Sequence, residues 1–232
     1  IDFLPLKAYH NIREGNALRM DWDIIETPSD IPTIYAKNVH LVVEPMPMAV
    51  SEPITEYNEV NVVTHRIDGE VNAGKRSYQV HYDYIIGNPP FVGYSMQNKE
   101  QKEDVLAVFK DKNGKPFKTA GKIDYVAGWY YKAAKLMQHS KTRTALVSTS
   151  SICQGEQVSA IWKPLKELFG IHIDFAYRTF RWDSEASDKA HVHCVIVGFS
   201  AFSAPIKLLY DEGKSKIVEC INAYLIEGQD VY

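Results

Sequence analysis

The chain has 232 residues, of which 45% are hydrophobic, 12% aromatic and 24% charged, with a formal net charge of −3. That balance suits one globular domain, or one and a fraction, and excludes a disordered, collagen-like or disulfide-scaffold chain. No apolar run approaches the roughly 20 residues of a membrane helix, no signal-peptide pattern is visible, and Cys153, Cys194 and Cys220 form no CxxC pair, which points to a reducing, cytoplasmic setting.

A short strand is predicted around Asn11–Arg13. Residues 28–80 read as an insertion. Pro28, Pro32, Pro45, Pro47 and Pro53 argue against long regular elements. The β-branched runs Val39–Val43 and Val60–Ile67, with a turn at Asp68-Gly69, predict a hairpin or two within it. From Asp83 the pattern becomes α/β. Tyr84-Ile85-Ile86 reads as a short buried strand, stopped by Pro89 and Pro90, which have no N–H to donate. Residues 95–121 are polar and weakly periodic, with a turn at Asn113-Gly114. Val126, Trp129, Tyr130, Ala133 and Met137 share one helical face. Thr144–Val147 reads as a strand running into Ser148-Thr149-Ser150-Ser151. Val158, Ile161, Trp162, Leu165, Leu168 and Phe169 mark a second helix, closed by Gly170. Ile171–Tyr177 alternates as a strand, and Val192–Phe199 is a further apolar strand. The order strand-helix-strand-helix-strand predicts a parallel sheet with ligands at the carboxyl ends of its strands. Asn88, Thr149 and residues 179–182 fall at such ends.

The chemistry concentrates in Asp83-Tyr84-Ile85-Ile86-Gly87-Asn88-Pro89-Pro90-Phe91. Asn88 offers a side-chain carbonyl, Pro89 a backbone carbonyl held by restricted dihedrals, and Phe91 a flat apolar face. Together they suit a planar group with an exocyclic NH2: two acceptors take its hydrogens and the ring stacks on its plane. Such a site polarises and aims the nitrogen without a covalent intermediate. Charge is uneven as well. Residues 99–143 carry 11 basic and 5 acidic side chains. A polyanion partner and a solvated lysine-rich loop both fit that excess. His191, His193 and Cys194 lack an evident fourth ligand, so no metal is expected. None of the cysteines follows a proline, and no GxSxG, Walker loop or HExxH occurs.

Asn-Pro-Pro-Phe after a hydrophobic strand resembles the catalytic motif of S-adenosylmethionine-dependent DNA adenine-N6 methyltransferases. Four further segments are similar to the methylase region of MmeI-like enzymes, the type IIG restriction–modification proteins. They are 14–22 (EGNALRMDW), 123–130 (IDYVAGWY), 146–157 (LVSTSSICQGEQ), and 180–182 with 190–199 (FRW…AHVHCVIVGF). Residues 221–225 (INAYL) resemble the segment where that region gives way to target recognition. The resemblance implies an α/β fold: a Rossmann-like class I methyltransferase sheet with a terminal antiparallel strand pair. The strands that carry the family's glycine-rich loop are expected to be missing, since no two of the 13 glycines stand in a G-x-G spacing. The expected organisation is a partial methyltransferase domain over residues 1–232, with 28–80 inserted and about 210–232 starting the link to target recognition.

The resemblance also assigns roles. Asn88, Pro89, Pro90 and Phe91 become catalytic, and Asn16 and Ala17 border the adenine of S-adenosylmethionine, whose site is incomplete here. Beside these, Tyr94, Phe180 and Trp182 are candidates either for contact with DNA or for the core, and Lys110, Lys112, Lys115 and Lys118 either for DNA phosphates or for solvent. Double-stranded DNA and the upstream and downstream parts of the same polypeptide are the implied partners. Two rivals remain at this point. One is a protein glutamine-N5 methyltransferase, which uses the same kind of motif. The other is a non-catalytic DNA-binding or scaffolding piece. The topology expected for the family leaves an exposed sheet edge, to be covered either by residues 28–80 or by a second copy of the chain.

Overall fold

The computed structural model describes residues 15–28, 66–67, 71–72, 75–80, 82–182, 192–211 and 213–230. The chain divides into two compact units, one including Asp21–Asp83 and the other Glu14–Met20 with Tyr84–Tyr232. In the first, β1 (Ile24–Pro28), β2 (Arg66–Ile67), β3 (Val71–Asn72) and β4 (Lys75–Val80) form an antiparallel sheet around β4. Of the strand predicted at Val60–Ile67, Arg66–Ile67 is present; Asn11–Arg13 and Val39–Val43 lie outside the described residues.

The second unit holds a six-stranded sheet in the order β10-β9-β7-β8-β6-β5. In chain order its elements are β5 (Tyr84–Gly87), α1 (Lys99–Val108), α2 (Ala127–Leu136), β6 (Arg143–Thr149), α3 (Gly155–Phe169), β7 (His172–Trp182), β8 (Val192–Ser200), β9 (Lys207–Asp211) and β10 (Lys214–Val218). β5 and β6 are parallel, with Gly87 opposite Leu146. β8 lies antiparallel to both β6 and β7. The order of elements predicted a parallel sheet, and β5, β6 and β7 all run one way. β8, arriving directly after β7, pairs back along it and takes the place beside β6. The sheet is mixed, and it ends in the antiparallel pair that the resemblance implied.

Two expectations are corrected. β5 is an edge strand among the described residues, so Tyr84 and Ile86 are exposed rather than buried. Residues 99–108 form a helix where weak periodicity predicted none. Its signal was a capping box: the Asn98 side chain accepts from Gln101 N at 2.8 Å, and the Gln101 side chain accepts from Asn98 N at 3.0 Å. The predicted helices 126–137 and 158–169 are present as α2 and α3, and Gly170 closes α3 in the left-handed region at φ 63°.

The core lies between these helices and the sheet. Tyr130 of α2 is fully buried and stacks on Phe199 of β8, with centroids 5.1 Å apart and planes 12° apart. Its hydroxyl shares a 2.8 Å hydrogen bond with Ser148 of β6, which satisfies the polar end of a buried ring. Trp162 of α3 packs edge-on against Tyr130 and donates its indole N–H to the Ile152 carbonyl at 2.9 Å. Phe175 of β7 lies across its register partner Gly198 of β8. A Cβ on Gly198 would come within 2.0 Å of the Phe175 ring. Gly198→Ala should therefore destabilise the chain by about 1–3 kcal/mol, through displacement of that ring. The denaturant midpoint measures it; an unchanged midpoint would mean that Phe175 swings aside at no cost.

Candidate active site

β5 and β6 run side by side and their carboxyl ends open on one side of the sheet. Gly87 closes β5 against Leu146; a Cβ there would stand 3.2 Å from the Leu146 side chain. Then Asn88-Pro89-Pro90 leaves the sheet. Asn88 is exposed, Pro89 buried and Pro90 exposed. A cavity of about 380 Å3 is lined by these three residues with Gly15, Asn16, Ala17, Gly87, Tyr125 and Trp129. The Tyr125 and Trp129 rings meet edge to face, 5.1 Å between centroids.

The segment 15–20 is far from α1 and α2 in sequence, and side chains hold it there. The Asp104 carboxylate, only 5% exposed, is the hub. It accepts from Arg19 Nε at 2.6 Å, Asn16 Nδ2 at 2.7 Å and the Tyr125 hydroxyl at 2.9 Å. On the other side Lys132 of α2 donates to the carbonyls of Ala17 at 3.0 Å, Leu18 at 3.2 Å and Met20. Buried Leu18 lies over Gly128, where a Cβ would approach it to 2.8 Å. Burial alone would raise the Asp104 carboxyl. The hydrogen bonds from Arg19, Asn16 and Tyr125, together with the Arg19 charge, outweigh it and set its pKa below the ordinary carboxylate value.

Asn16 and Asn88 line one cavity but differ in what they can offer. Asn16 spends its amide on Asp104 and its side-chain oxygen on Leu18 N at 3.0 Å. The Asn88 carboxamide makes no hydrogen bond to another described residue. The remaining candidates do not line the cavity. Phe91 is half-buried and Tyr94 exposed. Lys112, Lys115 and Lys118 are exposed, and Lys110 is half-buried, its carbonyl accepting from the Tyr131 hydroxyl. Phe180 is half-buried against Tyr177; Trp182 ends β7 opposite Val192, its side chain outside the described residues. Burial pushes the Cys153 thiol up to about 11 and raises Cys194 as well, so neither is a ready thiolate. Among the described residues no three His, Cys, Asp or Glu side chains gather as a metal site, and no helix is long and apolar enough to cross a membrane.

A family described as MmeI, DNA-methyltransferase domain, matches residues 1–211. The chain belongs to that family. It is 42% identical over 150 residues to DNA methyltransferase A of Bacillus subtilis (strain 168), a match covering 64% of this chain and 16% of that protein. It also resembles the solved structure of the type IIL restriction–modification enzyme MmeI in complex with DNA. There the identity is 46% and the TM-score 0.58, over 64% of this chain and 20% of that one. The chain thus matches a fifth or less of the length of either relative. The fold is the Rossmann-like α/β fold of a methyltransferase.

Sequence reasoning found Asn16, Ala17 and the Asn88 loop but missed Asp104 and Lys132. Asp104 sits in the lysine- and glutamate-rich α1, and Lys132 among the aromatic and alanine residues of α2; a charged side chain in either place is ordinarily solvated. Because the folded Asp104 carboxyl titrates below the ordinary value of about 3.9, it stabilises the fold above that pH. The contribution is lost as pH falls through the folded pKa. Asp104→Asn should cost about 1–3 kcal/mol at pH 7, and its difference from the parent should close below about pH 4. Denaturation of both proteins across that range tests this; a gap that widens in acid would contradict it.

Proposed function

We propose that this chain carries the methyl-transfer site of a DNA adenine-N6 methyltransferase within a restriction–modification enzyme. The observation that supports the reading best is the unpaired Asn88 carboxamide at the end of β5, in the same cavity wall as Asn16 and Ala17. The cavity suits the purine end of S-adenosylmethionine. Two aromatic rings, two glycines without side chains and backbone polar groups make a narrow wall for a flat ring. Among the described residues no carboxylate lines it to meet a ribose, so in this reading they hold only part of the group. Ala17 and the backbone of Asn16 border the purine, while the Asn16 side chain keeps that wall in place.

When bound, S-adenosylmethionine supplies an electrophilic methyl group on its sulfonium. The target adenine leaves the duplex to reach the site. Asn88 Oδ1 and the Pro89 carbonyl accept the two hydrogens of its exocyclic amine and turn the nitrogen lone pair toward the methyl group. Held by these two acceptors, the amine nitrogen would receive the methyl group that the cofactor would supply, and one amine hydrogen would be lost as a proton to water. Phe91 stacks on the flipped base and offsets about 1–3 kcal/mol of its unstacking. Lys110, Lys112, Lys115 and Lys118, with Tyr94, Phe180 and Trp182, are assigned to the surrounding DNA.

In the full-length enzyme, Asn88→Ala should leave cofactor and DNA binding near normal and slow methyl transfer by roughly a hundredfold, about 3 kcal/mol of barrier. Tritiated S-adenosylmethionine with DNA reads the rate, and nucleoside analysis of the product reads the modified base. Turnover near that of the parent, or a methylated cytosine, would overturn the assignment. Reversing the charge of Lys110, Lys112, Lys115 and Lys118 together should weaken DNA binding whatever its sequence. The slope of log affinity against log salt should flatten by about 0.9 per lost phosphate contact; an unchanged slope would show these lysines facing solvent.

A further inference from the structure

Outside the cavity lining, the second unit buries a carboxylate with no cation beside it. Asp124 is 6% exposed and makes no ion pair among the described residues. Among the described residues its side-chain hydrogen bonds come from neutral donors alone. Oδ1 accepts from Tyr94 N at 3.0 Å and from Gln157 Nε2 at 3.3 Å, and Oδ2 accepts from the Ser151 hydroxyl. The backbone around it continues the clip. Asp124 N donates to Gln157 Oε1 at 3.1 Å, Tyr125 N to the Val92 carbonyl at 2.9 Å, and Gln97 Nε2 to the Ile123 carbonyl at 2.9 Å. Ser151 in turn shares a 2.7 Å hydrogen bond with Thr149 at the end of β6.

Three segments therefore meet on one carboxylate: the loop that follows Asn88-Pro89-Pro90-Phe91, the turn that follows β6, and the first turn of α3. We propose that Asp124 is a positioning residue for methyl transfer. It fixes residues 91–97 against the ends of β6 and α3, and so sets the placement of Phe91 and the Pro89 carbonyl relative to Asn88. This rests on the reading of the Asn88 site given above. A carboxylate is the group suited to the task, since it accepts at both oxygens and donates nothing. Asparagine fills the same volume but accepts at one end only. With its oxygen toward the Tyr94 N–H it keeps the loop, because the Ser151 hydroxyl can turn and accept from the amide. Alanine releases both.

The test compares Asp124→Ala, Asp124→Asn, Ser151→Ala and Asn88→Ala in the full-length enzyme by methyl-transfer kinetics, with melting temperature and hydrogen exchange of the 88–98 peptide. For Asp124→Ala, kcat should fall about a hundredfold, the scale of a roughly 1 Å misplacement. KM for DNA and cofactor should stay within about threefold, with faster exchange confined to residues 91–97. Asp124→Asn should recover most of the loss, to within about tenfold of the parent, and Ser151→Ala should lose less than Asp124→Ala. Normal kcat in Asp124→Ala overturns the inference, and so does an Asp124→Asn variant as damaged as the alanine. If Asp124→Ala does not fold, unchanged exchange and kcat in both Asp124→Asn and Ser151→Ala overturn it. Asn88→Ala separates the two claims. If Asn88→Ala turns over normally, the reading of the site fails. If Asn88→Ala is inactive while the Asp124 variants are normal, only the positioning role fails.

Discussion

Two prolines after a strand deprive the chain of the means by which a sheet holds its ends. Pro89 and Pro90 have no N–H to give, so the backbone leaving β5 cannot lengthen the ladder with β6. The parallel register stops at Gly87 opposite Leu146. Whatever fixes the residues beyond must come from outside the sheet. In this unit it comes from the segment Ile123-Asp124-Tyr125, which gives and takes hydrogen bonds with Val92, Tyr94 and Gln97. The same segment hands Tyr125 to Asp104. One short stretch ahead of α2 thus ties the loop after β5 to the wall formed by residues 15–20.

The two carboxylates at these junctions are stabilised differently. Asp104 meets a guanidinium as well as neutral donors, and Arg19 remains largely exposed while its partner is buried. Desolvation is then suffered mainly by one member of the pair, and the charge that offsets it stays near water. Asp124 makes no ion pair among the described residues and relies on a backbone N–H, a hydroxyl and an amide. The backbone N–H of Tyr94 has a fixed direction, and together the three donors tie Asp124 to three separate segments of the chain. That difference suits their places. Asp104 anchors a wall, where attraction matters. Asp124 sits behind a loop, where angles matter.

Elements governed by a strong local signal were legible in the sequence. The apolar face of α2, the glycine that ends α3, and the strands β6 to β8 all follow from periodicity or from turn chemistry. What escaped depended on pairing between distant residues. Element order gave the common direction of β5, β6 and β7 but not the order of the strands, which is a tertiary choice: β8 entered between β6 and β7. Tyr84 and Ile86 look like a buried pair by composition, yet β5 sits at an edge. The first helix was hidden by its charge and shown only by its cap. At the site, a motif with unusual residues, Asn-Pro-Pro-Phe, stood out at once. Asp104, Asp124 and Lys132 did not, because a charged side chain reads as solvated until its partners, here 21 to 115 positions away, are brought to it.

The chain path gives those partners their importance. Residues 14–20 belong to the second unit, whereas 21–83 belong to the first, so only a short run contributes to the cavity before the chain departs. No described strand carries that run into the six-stranded sheet. A ladder would fix it through backbone bonds that tolerate most substitutions. Here the work falls on side chains instead: Asp104 from one helix, Lys132 from the next, and Leu18 lying over Gly128. Each of these is a single replaceable residue, and each lies away from the Asn88 carboxamide. The wall beside the proposed methyl-transfer centre is therefore more sensitive to changes in α1 and α2 than its distance in sequence suggests. Asn16 is the residue where the two demands meet, since it both lines the cavity and spends its side chain on holding the wall. Replacing it would alter shape before it altered any contact to a ligand.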